Sequence, residues 1–236
     1  MSEKSADKLR GLYLVIEGQD GTGKTTQIER LAEAIRDEIT VGKTDTARNP
    51  HHFTKVVTVN ENALIDSGLP ATDQLAKIIK NKDFQLDPLD NVMLLTTARR
   101  ELWLKVIAPT LRRNGIVVSS RNWWSTLAYQ GFGQGVRRSY IEEITRHFLP
   151  ERYVEPDVGV ILKLDDVERA KRSARPLKDD EILSRNKDAF ESAGNDFLAR
   201  VNRGYEQLAQ DLNVPLVDTS GTVEETFDRI CAILNL

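Results

Sequence analysis

At 236 residues the chain is long enough to bury one substantial core, which predicts a single domain spanning 1–236. Its 33 Lys and Arg against 36 Asp and Glu give a net charge of -3, which excludes the basic footprint of sequence-independent DNA or RNA binding. No apolar run approaches the roughly 20 residues that cross a bilayer, and the opening MSEKSADKLRG lacks the apolar segment of a secretory signal, so a soluble, cytoplasmic protein is expected.

Residues 12–17 (LYLVIE) form a short apolar run that predicts a strand ending at Gly18. From Lys24 the spacing turns helical, with Ile28, Leu31, Ala32, Ile35 and Ile39 on one face. The section 43–82 is the hardest to read: 55–59 (KVVTV) reads as a strand, and 44–48 is a weaker candidate. A long helix is predicted over about 89–113, then a strand at 116–119 after Gly115. Ile141, Ile144 and Phe148 mark a further helix, and 158–164 a strand. Residues 169–188 (RAKRSARPLKDDEILSRNKD) are so crowded with charge that they hold no core, and a solvated flap or lid is expected over roughly 169–190. Phe197, Val201, Leu208 and Leu212 line the next helix, 214–217 the last strand, and Val223, Phe227, Ile230 and Leu234 the last helix. Cys231, the single cysteine, falls on that last stripe and is expected to be a buried thiol in a reducing compartment. Strands separated by helices imply βαβ crossovers and a mostly parallel sheet covered on both faces, a doubly wound three-layer α/β sandwich.

The strongest local signal is Gly18-Gln19-Asp20-Gly21-Thr22-Gly23-Lys24-Thr25, a complete GxxxxGK[ST] pattern between an apolar strand and an amphipathic helix. Its glycines let successive N–H groups converge on phosphate oxygens, and the following helix adds its positive dipole end. Lys24 supplies charge to the β and γ phosphates, the Thr25 hydroxyl can reach Mg²⁺, and Thr26 extends the ATP contact. The alternative, a chance glycine-rich turn ahead of a helix, accounts for the spacing without the context. A GTPase would need Asn-Lys-x-Asp, and the nearest match, Asn186-Lys187-Asp188, has its acid one place early with no strand before it. The pattern fits a small kinase of the P-loop NTPase type.

Downstream, Ser125-Thr-Leu-Ala-Tyr-Gln-Gly131 follows Arg121 and precedes Gly133-Gln-Gly135, and this arrangement resembles the thymidylate kinase family. Glu17–Gln27 is similar to that family's phosphate loop, Arg48-Asn49-Pro50 to its Arg-Glu-Pro, Ala98-Arg99 to its Ala-Arg, and Asp188-Ala-Phe-Glu191 to its Asp-Arg-Phe-Glu. The resemblance covers nearly the whole chain and is loose between about 43 and 82. It implies transfer of the ATP γ-phosphoryl group to dTMP with Mg²⁺ as cofactor, by an enzyme that is usually a homodimer. It also implies residue roles: Asp20 bonds the sugar 3′-hydroxyl, and Arg48 and Arg121 hold the acceptor phosphate. Arg99 bonds the base carbonyl, while Tyr129 and Gln130 abut sugar and base, the tyrosine filling the space of a ribose 2′-hydroxyl. Arg172 and Arg175 enter the lid as catalytic arginines.

Three departures stand out. Gly21 occupies a position where some members carry a catalytic arginine, and Ser120 replaces the aspartate of an Asp-Arg pair. Leu95 stands where an aromatic ring usually stacks on thymine, and His51-His52 replaces Gly-Gly. These keep two other readings open: a kinase for another nucleoside monophosphate, and a nucleotide-binding protein with little turnover.

Overall fold

The computed structural model describes residues 11–42, 51–61, 69–165, 168 and 194–234. Five strands form one sheet: β1 (Leu12–Gly18), β2 (Val56–Asn60), β3 (Ile116–Ser120), β4 (Val158–Lys163) and β5 (Leu216–Asp218). Their order is β2-β3-β1-β4-β5 and every pairing is parallel. Successive side chains of a strand point to opposite faces, and here both faces are dry. Leu14, Ile16, Ile116, Val118, Val160 and Leu162 enter one core with α1 (Lys24–Val41) and the last helix, α9 (Val223–Leu234). Tyr13, Val15, Val117 and Ile161 enter the other. The continuous apolar runs of the sequence follow from this double coverage.

The second core is roofed by α2 (Pro70–Lys80), α3 (Pro88–Leu102), α4 (Ala108–Arg112), α5 (Trp124–Thr126), α6 (Arg138–Phe148), α7 (Glu151–Val154) and α8 (Asn195–Asp211). Asp87 caps α3 through its side chain, which accepts from Leu89 N at 2.8 Å, and Pro88 sits at the first helical position. The predicted helix over 89–113 is interrupted by a π-helical stretch, Trp103–Ile107, between α3 and α4. Pro109 explains it: without an N–H, and with its ring crowding the carbonyl four residues back, it prevents regular continuation.

The expected strand at 55–59 exists one residue later as β2, and the last strand begins at Leu216 instead of 214. There Pro215 has no N–H to give a ladder, though its carbonyl accepts from Ile161 N at 2.9 Å. The sequence reading missed α2, although Thr72, Ala76 and Ile79 mark its buried side. Three burial expectations are corrected. Cys231 is only half-buried, Phe148, at the end of α6, is 53% exposed because the helix has run past the core, and Val223, the first residue of α9, is 47% exposed. The candidate strand at 44–48 and the lid at 169–190 lie outside the described residues. Among the described residues no helix is long and apolar enough to cross a membrane.

Candidate active site

The connections reverse direction on either side of β1, and the carboxyl ends of β1 and β3 open where open α/β sheets place their ligands. β1 ends at Gly18, whose φ of 138° and Leu162 carbonyl 2.4 Å from any added Cβ leave room for glycine alone. The loop then turns on itself: the Thr22 hydroxyl donates to Gln19 O at 2.8 Å, and Lys24 Nζ donates to the same carbonyl at 2.9 Å. Gly21, Thr25 and Thr26 are exposed at the mouth where α1 begins. Lys24 is buried, and that burial, reinforced by the positive charge of Arg121, holds its ammonium down to about 8.

Arg121 directly follows β3 and is aimed into the mouth of the loop. Nη2 donates to Asp20 Oδ1 at 2.6 Å, and Nη1 to Tyr205 OH at 2.8 Å and Ser125 Oγ at 3.1 Å. Its φ of 73° is a left-handed conformation unusual outside glycine, and it is kept because the surroundings over-determine it. The principal restraint is Glu17, whose carboxylate has no exposed surface. Oε1 accepts from Asn122 N at 2.8 Å and Ser125 N at 3.0 Å, and Oε2 accepts from Tyr205 OH at 2.9 Å. The acid that ends β1 thus fixes the backbone just after Arg121. Burial alone would raise the Asp20 carboxyl, but Arg121 and Lys24 outweigh it and hold the group well below the usual carboxylate range. Asp20 remains 37% exposed on its open side.

Tyr129 and Gln130 lie on a π-helical segment, Leu127–Gly133, that follows α5. The Tyr129 hydroxyl donates to Asp20 Oδ2 at 3.1 Å, and its ring lies under Arg121, with the guanidinium carbon 5.4 Å from the ring centre. Gln130 is buried beside it, and Leu95 is partly buried against the same core. Arg99 on α3 is 3% exposed. Its Nε donates to Glu61 Oε2 at 3.0 Å, Nη1 to Thr126 Oγ1 at 2.6 Å and Nη2 to Asn122 O at 2.9 Å. Glu61, just past β2, also accepts from Tyr153 OH, 2.8 and 2.7 Å from its two oxygens.

The structure therefore brings together Lys24, Asp20, Arg121, Tyr129 and the loop glycines. Arg48, Arg172 and Arg175 lie outside the described residues. His51 and His52 present their carbonyls to Asn114 Nδ2 at 2.8 and 2.9 Å, just before β3 begins and at the opposite end of the sheet from Gly18. The carboxyl end of β2 carries Asn60 and, just past it, Glu61, with Asn60 pairing with Ser120. Ser120, the departure at the end of β3, is buried, and its carbonyl accepts from Glu61 N at 3.0 Å.

Sequence reasoning assigned no role to Glu17, Glu61, Asn122, Thr126 or Tyr205. A signal existed for Glu17, an acid inside an otherwise apolar strand, since a carboxylate there has to find partners. For Glu61 there was none, because its partner Arg99 is 38 positions away.

A family model described as thymidylate kinase matches residues 16–230. The thymidylate kinase of Mesoplasma florum is 30% identical over 222 residues, 92% of each chain. That of Cereibacter sphaeroides is 30% identical over 230 residues, 95% of this chain and 94% of its own. A crystal structure of thymidylate kinase from Ehrlichia chaffeensis superposes with a TM-score of 0.65 at 24% identity, over 95% of this chain and 98% of that one, and so shares the fold. A parallel sheet wound around a phosphate loop, an arginine at the end of β3 and relatives that span nearly the full length agree: the chain belongs to the thymidylate kinase family.

Proposed function

We propose that the protein transfers the γ-phosphoryl group of ATP to dTMP, giving dTDP and ADP. The observation that carries this reading is the convergence of Lys24 and Arg121 on one opening, with Asp20 between them at 3.7 and 2.6 Å. The two buried cations meet one carboxylate at the mouth, Asp20, while a second, Glu17, lies fully buried 3.7 Å from Arg121 on the protein side. Both cations therefore face the opening where two phosphate groups would meet head to head. The acceptor phosphate is already ionised, so the reaction needs no strong general base. It needs in-line placement and exclusion of water.

In this reading Lys24 and the loop N–H groups hold the donor phosphates while Arg121 grips the acceptor phosphate with a planar fork. Asp20 accepts the sugar 3′-hydroxyl, and Tyr129, bonded to Asp20, crowds the 2′ position. Arg99 meets the base. Arg172 and Arg175, in the segment 169–190, close over the phosphates as the lid of a single kinase domain.

The donor chemistry also fits Mg²⁺. Thr25 offers an exposed hydroxyl at the start of α1, while Glu17 and Asp20 are engaged by protein donors. Among the described residues no cluster of three or more His, Cys, Asp or Glu forms a metal site, so the ion would rest mainly on nucleotide phosphates, as Mg²⁺ commonly does. When bound, it neutralises charge on the β and γ oxygens.

The test is an ADP-release assay over the common nucleoside monophosphates. dTMP should lead, dUMP should follow, and ribonucleotides should be poor. UMP or CMP turned over as well as dTMP would overturn the Tyr129 assignment, and no turnover of any acceptor would overturn the kinase reading.

A further inference from the structure

The two arginines of the acceptor site are neutralised in different ways. Arg121 bonds Asp20, which is open to solvent on one side, and has the buried Glu17 3.7 Å away on the other. Arg99 bonds Glu61, whose side chain has no exposed surface and whose two oxygens are also held by Tyr153 OH. An incoming phosphate brings its own negative charge to Arg121. An incoming base brings only a neutral carbonyl to Arg99, which cannot balance a buried guanidinium. If Arg99 is to read a neutral atom, the protein must supply its own acidic partner, and the fold supplies Glu61 from the end of β2, its carboxyl lifted by burial to about 7 against the pull of Arg99.

We infer that Glu61 is the positioning residue for base recognition: it neutralises and orients Arg99 so that the guanidinium can donate to a pyrimidine carbonyl. This deepens the proposed function and rests on it. The geometry supports a directional role. Glu61, Thr126 and Asn122 O hold Arg99 at three different nitrogens, and the bonds among the described residues use three of the five N–H groups of a guanidinium. One N–H remains on each terminal nitrogen. Thymine presents O4, an acceptor, where cytosine presents an N4 amine, a donor. A guanidinium fixed in place donates to the first and is left unpaired against the second, whereas one free to swing discriminates less. Glu61 is itself anchored, its N–H bonded to Ser120 O beside Arg121, so base and phosphate recognition share one backbone junction.

Four forms of the full chain provide the test: wild type, Glu61→Gln, Arg99→Gln and the double variant, compared by the ratio of kcat/KM for dTMP to that for dCMP. Glu61→Gln keeps the shape and removes the charge. It should lower the ratio about tenfold or more, since discrimination by a hydrogen-bonding site is lost when its geometry loosens, with the change chiefly in KM for dTMP and much less in kcat. In the Arg99→Gln background the same substitution should leave the ratio where Arg99→Gln alone puts it. An unchanged ratio in Glu61→Gln overturns the inference, as does an equal further fall in the double variant or a loss carried by kcat. If Glu61→Gln fails to fold, the comparison of Arg99→Gln with the double variant, which carries no orphaned charge, decides by the same criterion. A wild type inactive on dTMP would overturn the functional reading and the inference with it. An active wild type with an unmoved ratio would overturn the inference alone.

Discussion

Lys24 works where its own charge is disfavoured. Burial and the nearby Arg121 hold its ammonium down to about 8 from an ordinary 10.5, so the form that meets phosphate is lost in the free enzyme as pH rises through about 8. Activity and stability then run in opposite directions. With a depressed pKa, the lysine's contribution to folding stability is present above 10.5 and falls away as pH drops through about 8. The expected outcome is a kcat/KM for ATP that declines above about pH 8. Lys24→Ala should lower kcat by about two to three orders of magnitude and remove that alkaline limb. A limb surviving in the variant would belong to another group. At this scale the sequence was legible where a residue sits in a local pattern, as Lys24, Asp20 and Arg121 do. It was not legible where function depends on contact across the fold: Glu61 reads as an ordinary acid after a strand until α3 brings Arg99 beside it.

Among the elements, α8 and the π-helical segment Leu127–Gly133 pack together around Tyr129, on the proposed acceptor side. Their closest approach is at Gly133, where an added Cβ would come 2.5 Å from a ring carbon of Phe197. Arg200 donates twice to the Gly133 carbonyl, at 3.1 and 2.9 Å, and the Tyr129 ring meets Phe197 edge-on at 6.2 Å. Gly133→Ala should therefore push Phe197 away and disturb the packing of Tyr129. Overpacking of this kind typically destabilises by about 1–3 kcal/mol, seen as a lower Tm and a higher KM for dTMP. Gly131→Ala is the control: its Cβ meets nothing closer than Ile141 Cδ1 at 3.4 Å, and alanine is the better helix former by about 1 kcal/mol. Equal effects of the two substitutions would remove Gly133 as the contact that matters. The apolar runs of β1, β3 and β4 and the periodicity of α1 made those elements readable. The π-helical widenings were hidden, because periodicity over a few residues does not separate a π turn from an α turn. Pro109, visible in the sequence, was the overlooked reason for one of them.

For the molecule as a whole, the candidate site is assembled from parts far apart in the chain. Lys24 begins α1, Arg121 directly follows β3, Arg99 lies on α3 and Tyr205 on α8. The sequence predicted parallel strands and helices on both faces, but the order β2-β3-β1-β4-β5 depends on which hydrophobic faces fit together over long separations and no local pattern encodes it. A ligand held by so many elements should stiffen the entire fold. ATP at a hundred times its Kd adds about 2.7 kcal/mol, which for a chain of this size corresponds to roughly 5–10 °C in Tm. Thermal denaturation with and without ATP should show this shift in the wild type and lose most of it in Lys24→Ala at the same ATP concentration. An equal shift in both would mean that ATP is bound without the loop lysine.

The unequal shielding of the two arginines also sets a rule for inhibitor chemistry. An acidic group directed at Arg121 faces Asp20, which water can solvate once it is displaced, while Glu17 stays buried 3.7 Å from the guanidinium on its far side. The same group directed at Arg99 would meet Glu61, enclosed by protein and unable to move into solvent, which adds a negative charge of its own once pH exceeds the value of about 7 to which burial lifts its carboxyl. Competitive compounds should therefore carry their anion at the Arg121 end and an uncharged acceptor at the Arg99 end, and a dianionic scaffold spanning both should gain nothing from its second charge.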